Sequence, residues 1–243
     1  MSDEIKILLA KAPLSFVGTV LYLDAATSDH RVEGNSAVIG VDCVLHGPPE
    51  LSHLAGDQIT LRLTQNRPEI GEAFAFFTAG ASFGRTLALT ELGRINVDVV
   101  EPFITAARDA GRGDSPFAPL IEEMSRDSLR RHAEGAAAVV LARVVALEAA
   151  GDRNAVMEDD PDWWRATLDV GHVERGELKS GPVNVLLANS RDRAWSASPK
   201  GRPGEEGLWL LHATSGERAR LAPFEITHPE DAQPTARLAA LRR

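Results

Sequence analysis

Val38-Ile39-Gly40-Val41-Asp42-Cys43-Val44-Leu45-His46-Gly47 decides the reading of the fold, because its order of neighbours comes round twice. A run ending Phe16-Val17-Gly18-Thr19-Val20 precedes it, and Ile59-Thr60-Leu61-Arg62-Leu63 and Gly71-Glu72-Ala73-Phe74-Ala75-Phe76-Phe77 follow. The second half repeats the series as Val140-Leu141-Ala142-Arg143-Val144, then Ala166-Thr167-Leu168-Asp169-Val170-Gly171-His172-Val173-Glu174-Arg175-Gly176, then Val183-Asn184-Val185-Leu186-Leu187, then Gly204-Glu205-Glu206-Gly207-Leu208-Trp209-Leu210-Leu211. Ile59, Leu61 and Leu63 alternate with polar residues, as in a half-buried strand, whereas Phe74 to Phe77 and Leu208 to Leu211 are continuous apolar runs expected to cross the middle of a core. The chain reads as a duplicated β domain.

Residues 85–92 and 218–226 supply a closing strand for each copy, and Gly47 and Gly176 end the second strand in each. Five strands per copy imply a small closed or nearly closed barrel. The fold expected is therefore mainly β with helical connectors: two tandem five-stranded OB-like barrels. With 243 residues the chain suits two domains, each able to bury its own core.

Helical segments frame the copies. Ile5, Leu8, Leu9 and Ala12 lie at helical spacing before Pro13, and residues 128–134, ended by Gly135, repeat this prelude. Between the halves, residues 102–110 and 116–124 read as helices with proline in the first turn, and Ser115 suits the N-cap of the second. Phe117, Leu120, Ile121 and Met124 share a face there, while Gly111-Arg112-Gly113-Asp114 is the flexible point. The domains expected are a first β domain over 1–100 with a short N-terminal helix, a helical connector over 101–124, and a second β domain over 125–243 with enlarged loops and a short C-terminal helix.

The run from Phe16 to Leu63, with Val41-Asp42-Cys43-Val44-Leu45-His46-Gly47 at its centre and Gly71-Glu72 opening the next strand, resembles the OB-type barrel of netrin-like and tissue-inhibitor-of-metalloproteinase-like domains. The second copy, with His172-Val173-Glu174-Arg175-Gly176 and Gly204-Glu205, is similar. The resemblance implies the fold alone. Members of that family inhibit proteases through an N-terminal cysteine anchored by a disulfide, and this chain has one cysteine, Cys43, inside a strand pattern.

Composition narrows the function. A hydrophobic fraction of 44% and a charged fraction of 25% describe a globular chain, and a net charge of -9 with a pI near 5.3 opposes nucleic acid or anionic membrane as partner. Cys43 reads as a small buried hydrophobe. The N-terminus lacks the charged and apolar regions of a signal peptide, so a cytoplasmic location is expected. No nucleotide-binding glycine pattern, no Gly-x-Ser-x-Gly elbow and no His-Glu-x-x-His or Cys-x-x-Cys spacing occurs. No cofactor is expected.

The copies differ in their loops, which are where function concentrates on a rigid scaffold. Residues 189–203 of the second copy form a polar stretch containing Trp195 and Pro199-Lys200-Gly201-Arg202-Pro203, and all four tryptophans lie in this half. Trp163 and Trp164 open a strand, so one indole is expected in the core and the other outside. Trp209 reads as core. The leading expectation is a non-catalytic protein-binding or scaffold module, docking another protein or a second copy of itself through Trp163, Trp164, Trp195 and Arg202. The rival is a metal-assisted hydrolase in which Asp159, Asp160, Asp162, His172 and His212 converge; His172 and His212 meet only if their strands are neighbours. A third reading is a binder of small ligands or oligosaccharides on a barrel face.

Overall fold

The computed structural model describes residues 2–27, 34–83, 86–109, 115–150, 161–190 and 193–242. Two compact units divide the chain, Met1–Met124 and Ser125–Arg243.

The first unit opens with α1 (Ser2–Leu9) and continues through β1 (Leu14–Leu23), β2 (Ser36–His46), β3 (Gln58–Arg62), β4 (Ala73–Phe83) and β5 (Thr86–Asn96). These five strands close into a barrel in the order β1-β2-β3-β5-β4. Every pairing is antiparallel except β3 with β5, where Thr60, Leu61 and Arg62 face Ala88, Leu89 and Thr90. Side chains alternate across the wall, so Phe16, Ile39, Leu61 and Phe76 fill the interior. Their neighbours Val17, Ala75 and Phe77 point outward into a second core built with Ile5, Leu9, Val100, Phe117 and Leu120. The apolar run at Phe74 to Phe77 is thus continuous because the strand is covered on both faces.

The helices that do the covering are α2 (Val97–Asp109) and α3 (Ala118–Glu134). The helix expected to begin at Pro102 begins five residues earlier, where the Asn96 Oδ1 accepts the Asp98 N–H at 3.2 Å. Pro102 then falls inside α2, and the hydrogen bond it cannot make leaves only the carbonyl of solvent-facing Asp98 without that donor. The helices expected over 116–124 and 128–134 are one helix, since Pro119 falls in its first turn, where proline is tolerated, and no glycine or proline interrupts 120–134. Ser115 does cap its start, accepting the Phe117 N–H at 3.3 Å and donating to the Leu45 carbonyl. The boundary between the compact units falls within α3.

The second unit repeats the topology. Its strands are β6 (Ala138–Ala149), β7 (Trp163–Arg175), β8 (Gly181–Ala188), β9 (Glu206–Ala213) and β10 (Phe224–Ile226), in the order β10-β8-β7-β6-β9, and pairing of β10 with β9 closes the ring. Again one pairing is parallel, Phe224 to Ile226 against Val185 to Leu187. A short β11 (Ala232–Gln233) flanks β9, and α4 (Leu238–Leu241) ends the unit. The closing strand expected over 218–226 is shorter, because Gly216–Arg220 forms a 3-10 turn. Gly216 has φ +57 at its start, a backbone that commits the chain to turn rather than extend.

Val140, Val144, Leu168, Leu187, Trp209 and Leu211 fill this barrel. Trp209 is 1% exposed and donates its Nε1–H to the Ala142 carbonyl at 3.0 Å, so the expected core indole is also hydrogen-bonded. Leu208 and Leu210 point out against Leu129 and Ala133 of α3. Gly176 ends β7 with φ +102, where an added Cβ would stand 2.6 Å from the Ala137 carbonyl oxygen; only glycine fits.

Candidate functional site

Trp163 and Trp164 take opposite faces of β7, as strand geometry requires, but neither is fully buried or fully exposed. Trp164 shares the alternation of interior Ala166 and Leu168, whereas Trp163 lies outside, against Ala150, Leu186, Leu221 and Ala222. The expectation of one core and one solvent-facing indole is corrected accordingly, since both stand near the strand's start, where the barrel wall covers only part of each ring.

Trp195, in a 3-10 turn over Arg193–Trp195, meets Trp163 edge to face, with ring centroids 6.0 Å apart. The Arg218 guanidinium stands over the Trp163 ring at 5.5 Å and pairs through Nε with Glu225 at 3.1 Å. Arg202 is exposed. Trp163, Trp195 and Arg218 therefore form one half-open aromatic and cationic surface on the outside of the second barrel.

Lys200 holds the loop that delivers Trp195. Its Nζ donates to three carbonyls, Ala188 at 2.6 Å, Trp195 at 2.8 Å and Ser190 at 2.9 Å. Three acceptors use every donor of an ammonium. Burial pushes the lysine below its ordinary pKa. Ser198 adds a second anchor, donating its Oγ–H to the Thr227 carbonyl at 2.6 Å.

A different cluster gathers around Asp231, which is fully buried. His228 caps a 3-10 turn over Pro229–Asp231, and the turn brings Asp231 back onto the chain: Oδ2 accepts the N–H groups of Thr227 and His228, both at 2.7 Å. Oδ1 faces two imidazoles. His132, in the last turn of α3, places Nε2 at 2.6 Å, and His212, on the outer face of β9, places Nε2 at 3.0 Å. The His132 ring lies 5.0 Å from that of His212 and 4.3 Å from that of His228, centroid to centroid. His228 accepts the Glu230 N–H through Nδ1 at 3.2 Å, so its proton sits on the other ring nitrogen when the ring is neutral. Two sets here bring ligand-type atoms within 4.8 Å of one another: His132 with His212 and Asp231, and His132 with His228 and Glu230.

The expected pairing of His172 with His212 is not found. β6 lies between β7 and β9, Leu141 of β6 faces both His172 and Leu208, and His212 is four residues beyond Leu208. Two strand spacings across and four residues along put them about 15 Å apart. His172 instead faces Glu174 at 3.2 Å, and Glu174 is gripped by Arg242, 2.6 Å from its Nη2. Asp162 is exposed, and Asp159 and Asp160 lie outside the described residues. Sequence reasoning missed His132, His228 and Asp231. The spacing of Asp231 three residues after His228, with Pro229 between, is a capping-box signal in the chain, but nothing local links it to His132 or His212.

The Asp98, Glu101, Pro102, Thr105 and Ala106 side of α2 bounds an open concavity of about 540 Å³, and an 80 Å³ cavity lies among Leu23, Asp24, Asn35, Leu63 and Arg67. The first is a shallow helix surface and the second is far below the volume that encloses a small organic ligand.

No protein-family model matches the chain, and no curated protein matches it in sequence.

Proposed function

We propose that the protein is a non-catalytic binding or scaffold module whose second barrel docks a partner protein through Trp163, Trp195 and the cations beside them. The observation that carries this reading is the edge-to-face Trp163–Trp195 pair with Arg218 over it, half open and held from behind by the Lys200 clamp. Tryptophan and arginine dominate interface hot spots, and a loop already fixed in place loses little entropy on binding. Exposed Arg202 on the same loop belongs to the surface on this reading; Trp164, on the other face of β7, does not.

A net charge of -9 opposes nucleic acid or an anionic membrane as the partner, and the arginines beside the tryptophans suit acidic groups on a protein. No described helix is long and apolar enough to cross a membrane. A cytoplasmic setting and an OB-type kinship with netrin-like domains, at the level of fold, remain part of the proposal.

The test uses a photo-cross-linking residue placed at exposed Ala194, beside Trp195, and, as control, at exposed Ile70 in the first unit. Capture at 194 but not at 70, followed by purification of the captured protein and a direct affinity measurement, should show Trp195→Ala weakening the complex at least tenfold. If the captured species is a second copy, sedimentation of the wild type and of Trp195→Ala should differ in mass. A partner affinity and an oligomeric state both indifferent to Trp195 would sink the reading.

A further inference from the structure

We infer that His132, His212 and Asp231 form a binding site for one divalent transition-metal ion of the Zn²⁺ class, independent of the docking surface. Two imidazole Nε2 atoms and one carboxylate oxygen converge on a single point from three separate elements, α3, β9 and the turn after β10. Their separations, 2.6 and 3.0 Å, are those of hydrogen bonds. Ligand atoms on a tetrahedral ion with bonds near 2.0–2.1 Å stand about 3.3 Å apart, so the His132 ring has to withdraw by about 0.7 Å and the His212 ring by about 0.3 Å.

The carboxylate is prepared for this. Oδ2 is committed to the Thr227 and His228 N–H groups, which fixes the plane of Asp231 and aims Oδ1 at the rings. The imidazoles remain partly open to water, with His132 22% and His212 26% exposed. An ion therefore has a path in, and three protein ligands leave it a position for water or another ligand. Borderline nitrogen and oxygen donors select Zn²⁺, Co²⁺, Ni²⁺ or Fe²⁺ over Ca²⁺ or Mg²⁺, which prefer all-oxygen shells. His228 is not assigned as a ligand, because its Nδ1 is engaged in capping the turn. It packs against His132 and limits the rotation of that ring.

The experiment takes the untagged full chain, stripped with chelator, and titrates it with Zn²⁺ by calorimetry and with Co²⁺ by visible absorption. The expected result is one ion per chain, with a Co²⁺ d–d spectrum of four- or five-coordinate intensity. His132→Ala and His212→Ala should each weaken Zn²⁺ binding at least tenfold, and His172→Ala should leave it unchanged. A measurement on the wild type guards against variants that fail to fold: carbethoxylation of His132 and His212, followed by mass spectrometry, should slow at least tenfold when Zn²⁺ is added. The inference is overturned if the wild type shows no saturable binding, if Zn²⁺ leaves the modification of both histidines unchanged, or if His172→Ala costs as much affinity as the two ligand variants.

Discussion

Lys200 Nζ stands 2.6 Å from the carbonyl oxygen of Ala188, at the end of β8, and so ties the loop that carries Trp195 directly to the barrel wall. With its other two protons on the carbonyls of Ser190 and Trp195, the ammonium joins three points of the chain. Lys200→Met keeps the length of the side chain and removes all three donors. The expected loss is about 1–3 kcal/mol of stability, because carbonyls left partly buried lose their partner. Urea unfolding measures it, and a red shift of tryptophan emission in the folded variant reports release of Trp195.

Glu174 should make stability acid-sensitive in a defined window. The Arg242 guanidinium beside it holds its carboxyl down to about 2, from an ordinary value of 4.5, with a smaller contribution from His172. The folded chain thus keeps Glu174 ionised where the unfolded chain has already taken up a proton, and the stabilisation is complete above pH 4.5 and fades as pH falls through 2. Thermal unfolding of wild type and Arg242→Ala should differ at pH 6 and converge near pH 2. Amide exchange in α4, which the same pair fastens to β7, should quicken in the variant at pH 6.

Glu91 is 1% exposed, and both of its oxygens are engaged. Oε2 accepts the N–H groups of Thr64 and Gln65 at 2.7 and 3.2 Å, and Oε1 accepts from Arg94 at 2.7 Å. Glu91→Ala removes the counter-ion of a nearly buried guanidinium, which keeps only the Asn66 carbonyl, and the acceptor of two backbone donors, a loss of about 3–5 kcal/mol. Glu91→Gln, which retains an acceptor for the backbone, should lose less. Chemical denaturation of the two variants checks the order.

Cys43 lies on β2, half-buried against the outer core of the first unit, and burial pushes its thiol above the ordinary range. The thiolate is the reactive form. Labelling with a disulfide reagent at pH 7.5 should run at least tenfold slower in the folded chain than in 8 M urea. A rate equal to that of the unfolded chain would show the thiol to be exposed.

The barrels were legible because strand signals are local. Alternation at Ile59, Leu61 and Leu63 and the doubled order of segments needed no tertiary information, and the same ring of pairings recurs in both units. Boundaries were less so. Residues 218–226 have strand composition, but Gly216 turns the chain at their start and leaves three residues to pair. Pro102 resembled a helix start because proline favours the first turn, while Asn96 supplied the true cap. The histidine cluster was invisible for a different reason. His132 and Asp231 are 99 residues apart, and their meeting depends on how α3 lies over β9, which no spacing encodes. The Trp163–Trp195 contact was anticipated only as a shared neighbourhood, and Arg218 and Lys200 as its supports were not anticipated.

Three residue pairs of parallel ladder close each cylinder, Thr60 to Arg62 on Ala88 to Thr90 in the first and Val185 to Leu187 on Phe224 to Ile226 in the second. Each seam uses the last of the five barrel strands, so closure waits until all five have been laid down, a late, non-local step of the kind that slows folding. In the second unit the clasp has no spare length, since all of β10 is used, and two of its three residues also bond to β9. Loosening Phe224 would therefore open the sheet on both sides at once. The amides of β10 should be the gauge of how often this barrel comes unfastened.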